Sequence, residues 1–278
     1  MQLGVRMKIL YLVIASRKRP WNAIQKAQNR TWVQSLGADD QLFYIFGDGS
    51  LGKSSRYFKD FHSTFLPKLG IEQRNENIQP LVHKGERVLV FRSKEGYDQL
   101  LTNTLSAIKF ALENEHFDYI VRTNSSTFWI PANVRSVLEH NRESNLYAGA
   151  SSEHQNIPYV AGYGIIFSRD TAQFLVKNAK AIDARIIDDV AIGKILSDEN
   201  FKIEDIPIGW IPSPWKIKNW RREAILESMA LRCKSEFRIL PIRISRRVER
   251  CSFLPKFILR FDALTMKKLH AIVLKVEK

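Results

Sequence analysis

Cysteine is nearly absent. The 278 residues hold two, Cys233 and Cys251, and neither belongs to a Cys-x-x-Cys pair. That excludes a disulfide framework and a zinc site built on paired thiolates, and it points to a reducing compartment. A chain of this length buries roughly three quarters of its unfolded surface, so it needs no such staples. Long apolar runs are missing too. The run nearest the start, Ile9 to Ala15, is seven residues, too short to span a bilayer. Arg17, Lys18 and Arg19 follow it, where a signal peptide needs small residues for cleavage. The run therefore reads as a buried first strand. Acidic residues are scarce in one region only. Residues 215–278 carry 17 Lys/Arg against 6 Asp/Glu, in a chain whose net charge is +14. Residues 1–214 are near balance. A basic C-terminal quarter suits an anionic partner, whether phosphate, nucleic acid or an acidic membrane surface, or else a solvated face.

Through most of the chain, short β-branched runs alternate with helical periodicity. Residues 8–16, 41–47, 87–91, 117–123, 145–151, 160–168 and 202–210 read as strands. Residues 21–36, behind Pro20, read as a helix. Residues 97–114 place Leu100, Leu101, Leu105, Ile108 and Leu112 on one helical face. Residues 169–182 and 188–198 complete the series. The alternation predicts an α/β sandwich with a mostly parallel central sheet. Sites in such folds lie beyond the carboxyl ends of the strands. After Trp210 the pattern changes. A short strand over 230–237 and two or three basic helices are expected, so that 1–214 forms the main domain and 215–278 a basic, mainly helical extension packed on it.

One motif argues for nucleotide hydrolysis. Gly47, Gly52, Lys53 and Ser54 spell the Gly-x-x-x-x-Gly-Lys-Ser of a phosphate-binding loop, directly after an apolar run. Such a site also needs a carboxylate at the end of a second buried strand to help hold Mg²⁺. The candidate strands end VLVFRS, YIVRTN and YAGASS, none with an acid, and Asp170 is better placed to open the following helix. The missing acid demotes the motif.

Five other segments fit together better. AQNRTWVQSL (27–36), EGYDQLLTNTLSAIKFALEN (95–114), FDYIVRTNSSTFWIP (117–131), YVAGYGIIFSRDTA (159–172) and IDDVAIGKIL (187–196) occur in this order. Together they resemble, over residues 8–210, the β-1,3-galactosyltransferase/Fringe family of glycosyltransferases. The first is similar to its Arg-x-Thr-Trp signature, the fourth to its Tyr-x-x-Gly-x-Gly stretch, and the fifth to its Glu-Asp-Val-x-x-Gly helix start. The resemblance implies a GT-A-type α/β/α sandwich and an inverting glycosyl transfer from a nucleotide-sugar, a UDP-sugar by the family's habit, to a glycan or lipid-linked glycan acceptor.

Inverting transfer needs one general base and a stabilised diphosphate leaving group. The resemblance puts the base at the second acid of the pair, Asp189, with Asp188 beside it. Helix capping is the plainer role for either. Gly162 and Gly164, with Tyr163 between them, serve either close approach to an acceptor sugar or a β-bulge. Trp210 is a further acceptor candidate. Trp32 reads as core, and Arg30 as part of the site's architecture. The family's Asp-Asp-Asp, which holds Mn²⁺ on the donor, is here Asn124, Ser125 and Ser126, a spelling that resembles a microbial branch of the family. An amide and two hydroxyls are poor ligands for a hard cation, so no tightly bound Mn²⁺ or Mg²⁺ and no other cofactor is expected. Arg232 and Lys234, on alternate positions of a short strand, are the expected replacement. Ser16, Arg19, Arg122 and Thr123 join Asn124, Ser125 and Ser126 as donor contacts, with Arg17 and Lys18 as further cations.

The tail, 238–261, mixes Ile, Leu and Phe with arginine and suits an anionic membrane. With the family's transmembrane anchor and stem not seen, the expected place is cytoplasmic, peripheral at the inner membrane face. No nucleic acid is expected, for want of an aromatic platform or a reading helix. The rival classes are an inactive sugar-binding module, a nucleic-acid binder and the phosphate-loop hydrolase.

Overall fold

The computed structural model describes residues 7–18, 20–47, 80–83, 87–93, 96, 99–140, 144–206, 208–234, 236–238 and 258–274. Gly52, Lys53 and Ser54 of the phosphate-loop motif, Arg19, and residues 239–257 of the basic tail lie outside the described residues.

Strand β1 (Ile9–Ile14) is apolar on both faces because both are covered. Ile9, Tyr11 and Val13 enter one core, and Leu10 and Leu12 the other. Helix α1 (Trp21–Asn29) follows, ending sooner than its periodicity predicts, with a short 3₁₀ turn at Trp32–Ser35. At the break the Thr31 hydroxyl bonds back to the Ala27 carbonyl at 2.7 Å, competing with the helical ladder. Next come β2 (Gln41–Gly47), β3 (Leu81–His83), β4 (Val88–Phe91) and α2 (Leu100–Asn114). The face of α2 is as its spacing dictates, with Leu101, Leu105 and Ile108 buried. Then follow β5 (Tyr119–Asn124), β6 (Thr127–Trp129), α3 (Pro131–His140) with proline at its first position, β7 (Tyr147–His154), β8 (Ile157–Ser168), α4 (Arg169–Lys177) and α5 (Asp188–Asp198). The chain ends through β9 (Ile203–Asp205), β10 (Gly209–Trp210), α6 (Arg222–Glu227), β11 (Ala230–Arg232), β12 (Glu236–Arg238), β13 (Ile258–Arg260) and α7 (Asp262–Val273).

The main sheet has the order β3-β4-β2-β1-β5-β8-β7-β9. Only β3 and β8 run against the rest, so the sheet is mostly parallel. α2, α4 and α5 cover one face. α1, α3, α6 and α7 cover the other, where Met266 and Leu269 of α7 share a core with β1. The protein is an α/β/α sandwich, as the alternation predicts. One expected strand is in fact two. Residues 202–210 divide into β9, at the edge of the main sheet, and β10, which joins β11 and β6 in a small second sheet. Pro207, with no N–H to give a ladder, stands between them in sequence.

β7 and β8 form a hairpin closed by Gln155 and Asn156, both at positive φ (50° and 63°), as a two-residue type I′ turn demands. Helix α5 lies close on this hairpin at Gly193. A Cβ there would sit 2.7 Å from the Pro158 carbonyl and run into the Tyr159 side chain. Gly193→Ala is expected to destabilise the fold by about 1–3 kcal/mol, read from denaturant midpoints at unchanged m-value.

Candidate active site

Because β1, β2, β4 and β5 are parallel, their carboxyl ends share one edge. There Ile14 of β1 pairs with Asn124 of β5, and Gly47 of β2 with Phe91 of β4. The hairpin of β7 and β8 closes at the same edge, and the site is built where β8 departs from regularity. Gly149 pairs with Ile165 and Ser151 with Val160, so the four residues Ala161–Gly164 stand against Ala150 alone. This bulge turns backbone groups of β8 toward β5 and α5.

Arg122, buried at 3% exposure, extends beneath the bulge. Its Nη1 donates to the Gly162 carbonyl and its Nη2 to Asp188 Oδ2. Asp188 is equally buried, so this is an ion pair inside the protein. Asp189, next on α5, accepts from the Gly162 N–H at 2.9 Å and from the Val190 N–H at 3.0 Å. It keeps some surface, unlike Asp188. Burial, and then the neighbouring Asp188 carboxylate, push its pKa up to about 6, against the opposing pull of the Gly162 N–H and Arg122. A Cβ at Gly162 would lie 2.6 Å from Arg122 Nη1 and 3.0 Å from Asp189 Oδ2. The glycine is thus required by the charged side chains packed below it. Gly164 has a similar reason, since a Cβ there would meet Ile208 and Trp129.

On the other side of the bulge, Thr123 and Thr127 both donate to the Tyr163 carbonyl at 2.7 Å. Trp129 Nε1 donates to Thr123 Oγ1 at 3.1 Å. Asn124 Oδ1 accepts from the Ser126 N–H at 3.0 Å and from Ser126 Oγ at 2.8 Å, and lies 3.2 Å from Thr127 Oγ1, whose one hydrogen is shared with the closer Tyr163 carbonyl. This is an Asx turn in which the single amide oxygen is fully engaged. Ser125 and Ser126 are buried. The residues at which the resemblance would put a cation therefore do not fit one: they carry no charge, and their best oxygen points into the turn. Among the described residues no three His, Cys, Asp or Glu side chains gather as metal ligands.

The C-terminal segment is fastened to this turn. β11 runs antiparallel to β6 with Arg232 opposite Thr127, and the Cys233 N–H bonds the Ser126 carbonyl at 2.8 Å. The Arg232 guanidinium lies 4.3 Å from the centre of the Tyr163 ring. Lys234 is half-buried, and its carbonyl accepts from Trp210 Nε1 at 3.2 Å. Trp210 is 59% exposed.

No protein family matches the chain, and no curated protein does. Among solved structures it is similar to the glycosyltransferase GlyE of Streptococcus pneumoniae TIGR4, with 9% identity and a TM-score of 0.41 over 97% of this chain and 62% of that one. It is also similar to the galactosyltransferase LgtC in complex with donor and acceptor sugar analogues, with 8% identity and a TM-score of 0.39 over 95% of each chain. The chain thus spans less than two thirds of the length of GlyE. Likeness this distant leaves the function to be argued from the site's own residues.

Most residues singled out in the sequence meet at this edge. Asp188, Asp189, Arg122 and Gly162 form one cluster. Thr123, Asn124, Ser126 and Tyr163 form a second, to which Arg232 is joined. Ser16, two residues past β1, accepts from the Lys18 N–H at 3.2 Å. Arg17 lies over the Phe46 ring at 5.4 Å. Arg122 differs from a surface cation, because both terminal nitrogens are engaged inside the protein. Arg30 is exposed at the end of α1, while Trp32 is core. Thr127 and Trp129, which hold the bulge, lie in the quoted segment 117–131 but carried no signal of their own beyond the aromatic pair Phe128–Trp129 before Pro131. A depression of about 540 Å³ lined by Ser144–Tyr147 and Glu199–Glu204 lies where β7 and β9 begin, at the opposite edge. It holds none of this chemistry.

Proposed function

We propose that the protein is a glycosyltransferase that moves a sugar from a nucleotide-sugar to a glycan acceptor with inversion. One observation carries this reading. A carboxylate of raised pKa, Asp189, stands at the strand-end edge beside a β8 bulge, and the cationic β11 segment is pinned to the other side of that bulge. Asp189 takes the proton of the acceptor hydroxyl. The oxygen attacks the anomeric carbon from the face opposite the diphosphate, and the carbon–oxygen bond to the diphosphate breaks with its electron pair. Arg232 and Lys234 balance the departing charge, for which guanidinium and ammonium groups suffice without a metal. Arg122 acts as a positioning residue, holding Asp188 and the bulge to which Asp189 is bonded. Trp210 and Tyr163 flank the acceptor side, and a UDP-sugar is the donor that the Fringe-like segments favour.

The expected outcome is transfer that is insensitive to EDTA and falls about 10- to 100-fold in Arg232→Ala, measured as nucleoside-diphosphate release with a panel of nucleotide-sugars. Strict dependence on Mn²⁺ would sink the metal-free part of the reading.

A further inference from the structure

Four large apolar side chains are exposed among the described residues: Trp210, Trp215, Leu264 and Leu274. Trp215, Leu264 and Leu274 fall in the C-terminal region, 215–278, that carries the excess of positive charge. Two of them, Leu264 and Leu274, lie along α7 and at its end, and Trp215 is joined to that helix. Trp215 meets Phe261, the residue before α7, with ring centres 5.0 Å apart. Lys268 Nζ reaches the Pro214 carbonyl at 3.2 Å. The segment 214–219 is thereby joined to α7.

The outward stripe of α7 is Leu264, Lys267, Lys268, Ala271 and, just past its end, Leu274, all exposed at helical spacing. Its inward stripe is Thr265, Met266 and Leu269. The single acid of the helix, Asp262, is fully buried and offers the surface no negative charge. The adjoining stretch 211–222 contains no acid and exposes Lys216, Lys218, Arg221 and Arg222 around Trp215.

We infer that this face, with Trp215, Leu264 and Leu274 as insertion points and the surrounding lysines and arginines as headgroup contacts, docks the protein on an anionic lipid surface. Charge complementarity selects the partner's sign, and exposed leucines and an indole among lysines select its kind. Tryptophan at the headgroup level and lysines with apolar stems suit an interface between water and hydrocarbon. A nucleic acid would take the charges but leave both leucines in water. Among the described residues no helix is long and apolar enough to cross a membrane; the attachment inferred is at the lipid surface. It holds whatever reaction the site performs.

The test is flotation of the full chain with phosphatidylcholine vesicles containing about 30 mol% phosphatidylglycerol. The expected result is binding to these vesicles with a blue shift of tryptophan emission, little binding to pure phosphatidylcholine, and release as salt rises to about 0.5 M. Trp215→Ser with Leu264→Ser should weaken partitioning about tenfold or more. Lys216→Glu with Lys218→Glu, which leaves the apolar contacts in place, should do the same. The charge-reversal variant, which removes no packing contact, should melt as the parent does. Failure to float with anionic vesicles would overturn the inference, as would partitioning unchanged in both variants. So would a shift of a DNA or RNA probe, or self-association, that depends on the same residues without vesicle binding.

Discussion

Asp189→Ala is expected to abolish measurable transfer, a loss of about 10²–10⁴-fold in kcat, while the circular dichroism spectrum stays that of the parent. The expectation follows from what the side chain does not hold up. Asp189 accepts two N–H groups, from Gly162 and Val190, but the buried charge of Arg122 is balanced by Asp188. The pH dependence gives the sign. A base must be deprotonated to act, so the rate should rise with pH through an inflection near 6, where burial and Asp188 place the Asp189 pKa, and level off above it. Stability should move the other way. The folded protein holds this proton more tightly than the unfolded chain does. That contribution is therefore complete below the ordinary carboxylate pKa and is lost as pH rises through about 6. Asp189→Asn, which cannot ionise, should accordingly be more stable than the parent by about 1–2 kcal/mol at pH 8 and show no such gain at pH 4. Together, lost activity and gained stability would mark a residue kept for chemistry.

The second large effect is on the fold. Arg122→Met leaves Asp188 buried without its cation and the Gly162 carbonyl without its donor. Breaking a buried pair from one side costs about 3–5 kcal/mol, and much of that should appear as lost soluble protein or a lowered denaturation midpoint. Asp188→Leu should be costly for the mirrored reason, since it strands the guanidinium. The double variant should recover part of the loss, because no charge then remains buried. If Arg122→Met instead proved neutral in stability while raising KM for the nucleotide-sugar, Arg122 would be a donor contact, as its place in the sequence first suggests.

The sandwich was legible because its strands are buried on both faces. Segments such as KILYLVIAS are then continuous apolar runs, and the helices between them keep a clear periodicity. The acid pair at the start of α5 was legible for a similar reason, standing at a helix start after a strand-rich stretch. The bulge was not. Gly162 and Gly164 signal irregular backbone, but which carbonyls it aims at Arg122, Thr123 and Thr127 depends on pairing with β5 and β7. The small sheet was hidden as well. β6 is three residues long, and its partner β11 lies a hundred residues away in sequence, so local pattern cannot announce the pair. The alternation of Arg232 and Lys234 could be seen in advance. That Arg232 stacks on Tyr163 beside the Asn124 turn could not. The phosphate-loop spelling shows the converse: a local motif can be rarer than chance and still lack its partner carboxylate.

The most direct measurement is the anomeric configuration of the product, followed by ¹H NMR as it forms from a nucleotide-sugar in EDTA, with the parent and Asp189→Asn run side by side. A single displacement with Asp189 as base predicts an inverted linkage from the parent and essentially none from the variant. A product that keeps the donor's configuration, or one that accumulates equally in Asp189→Asn, would contradict it.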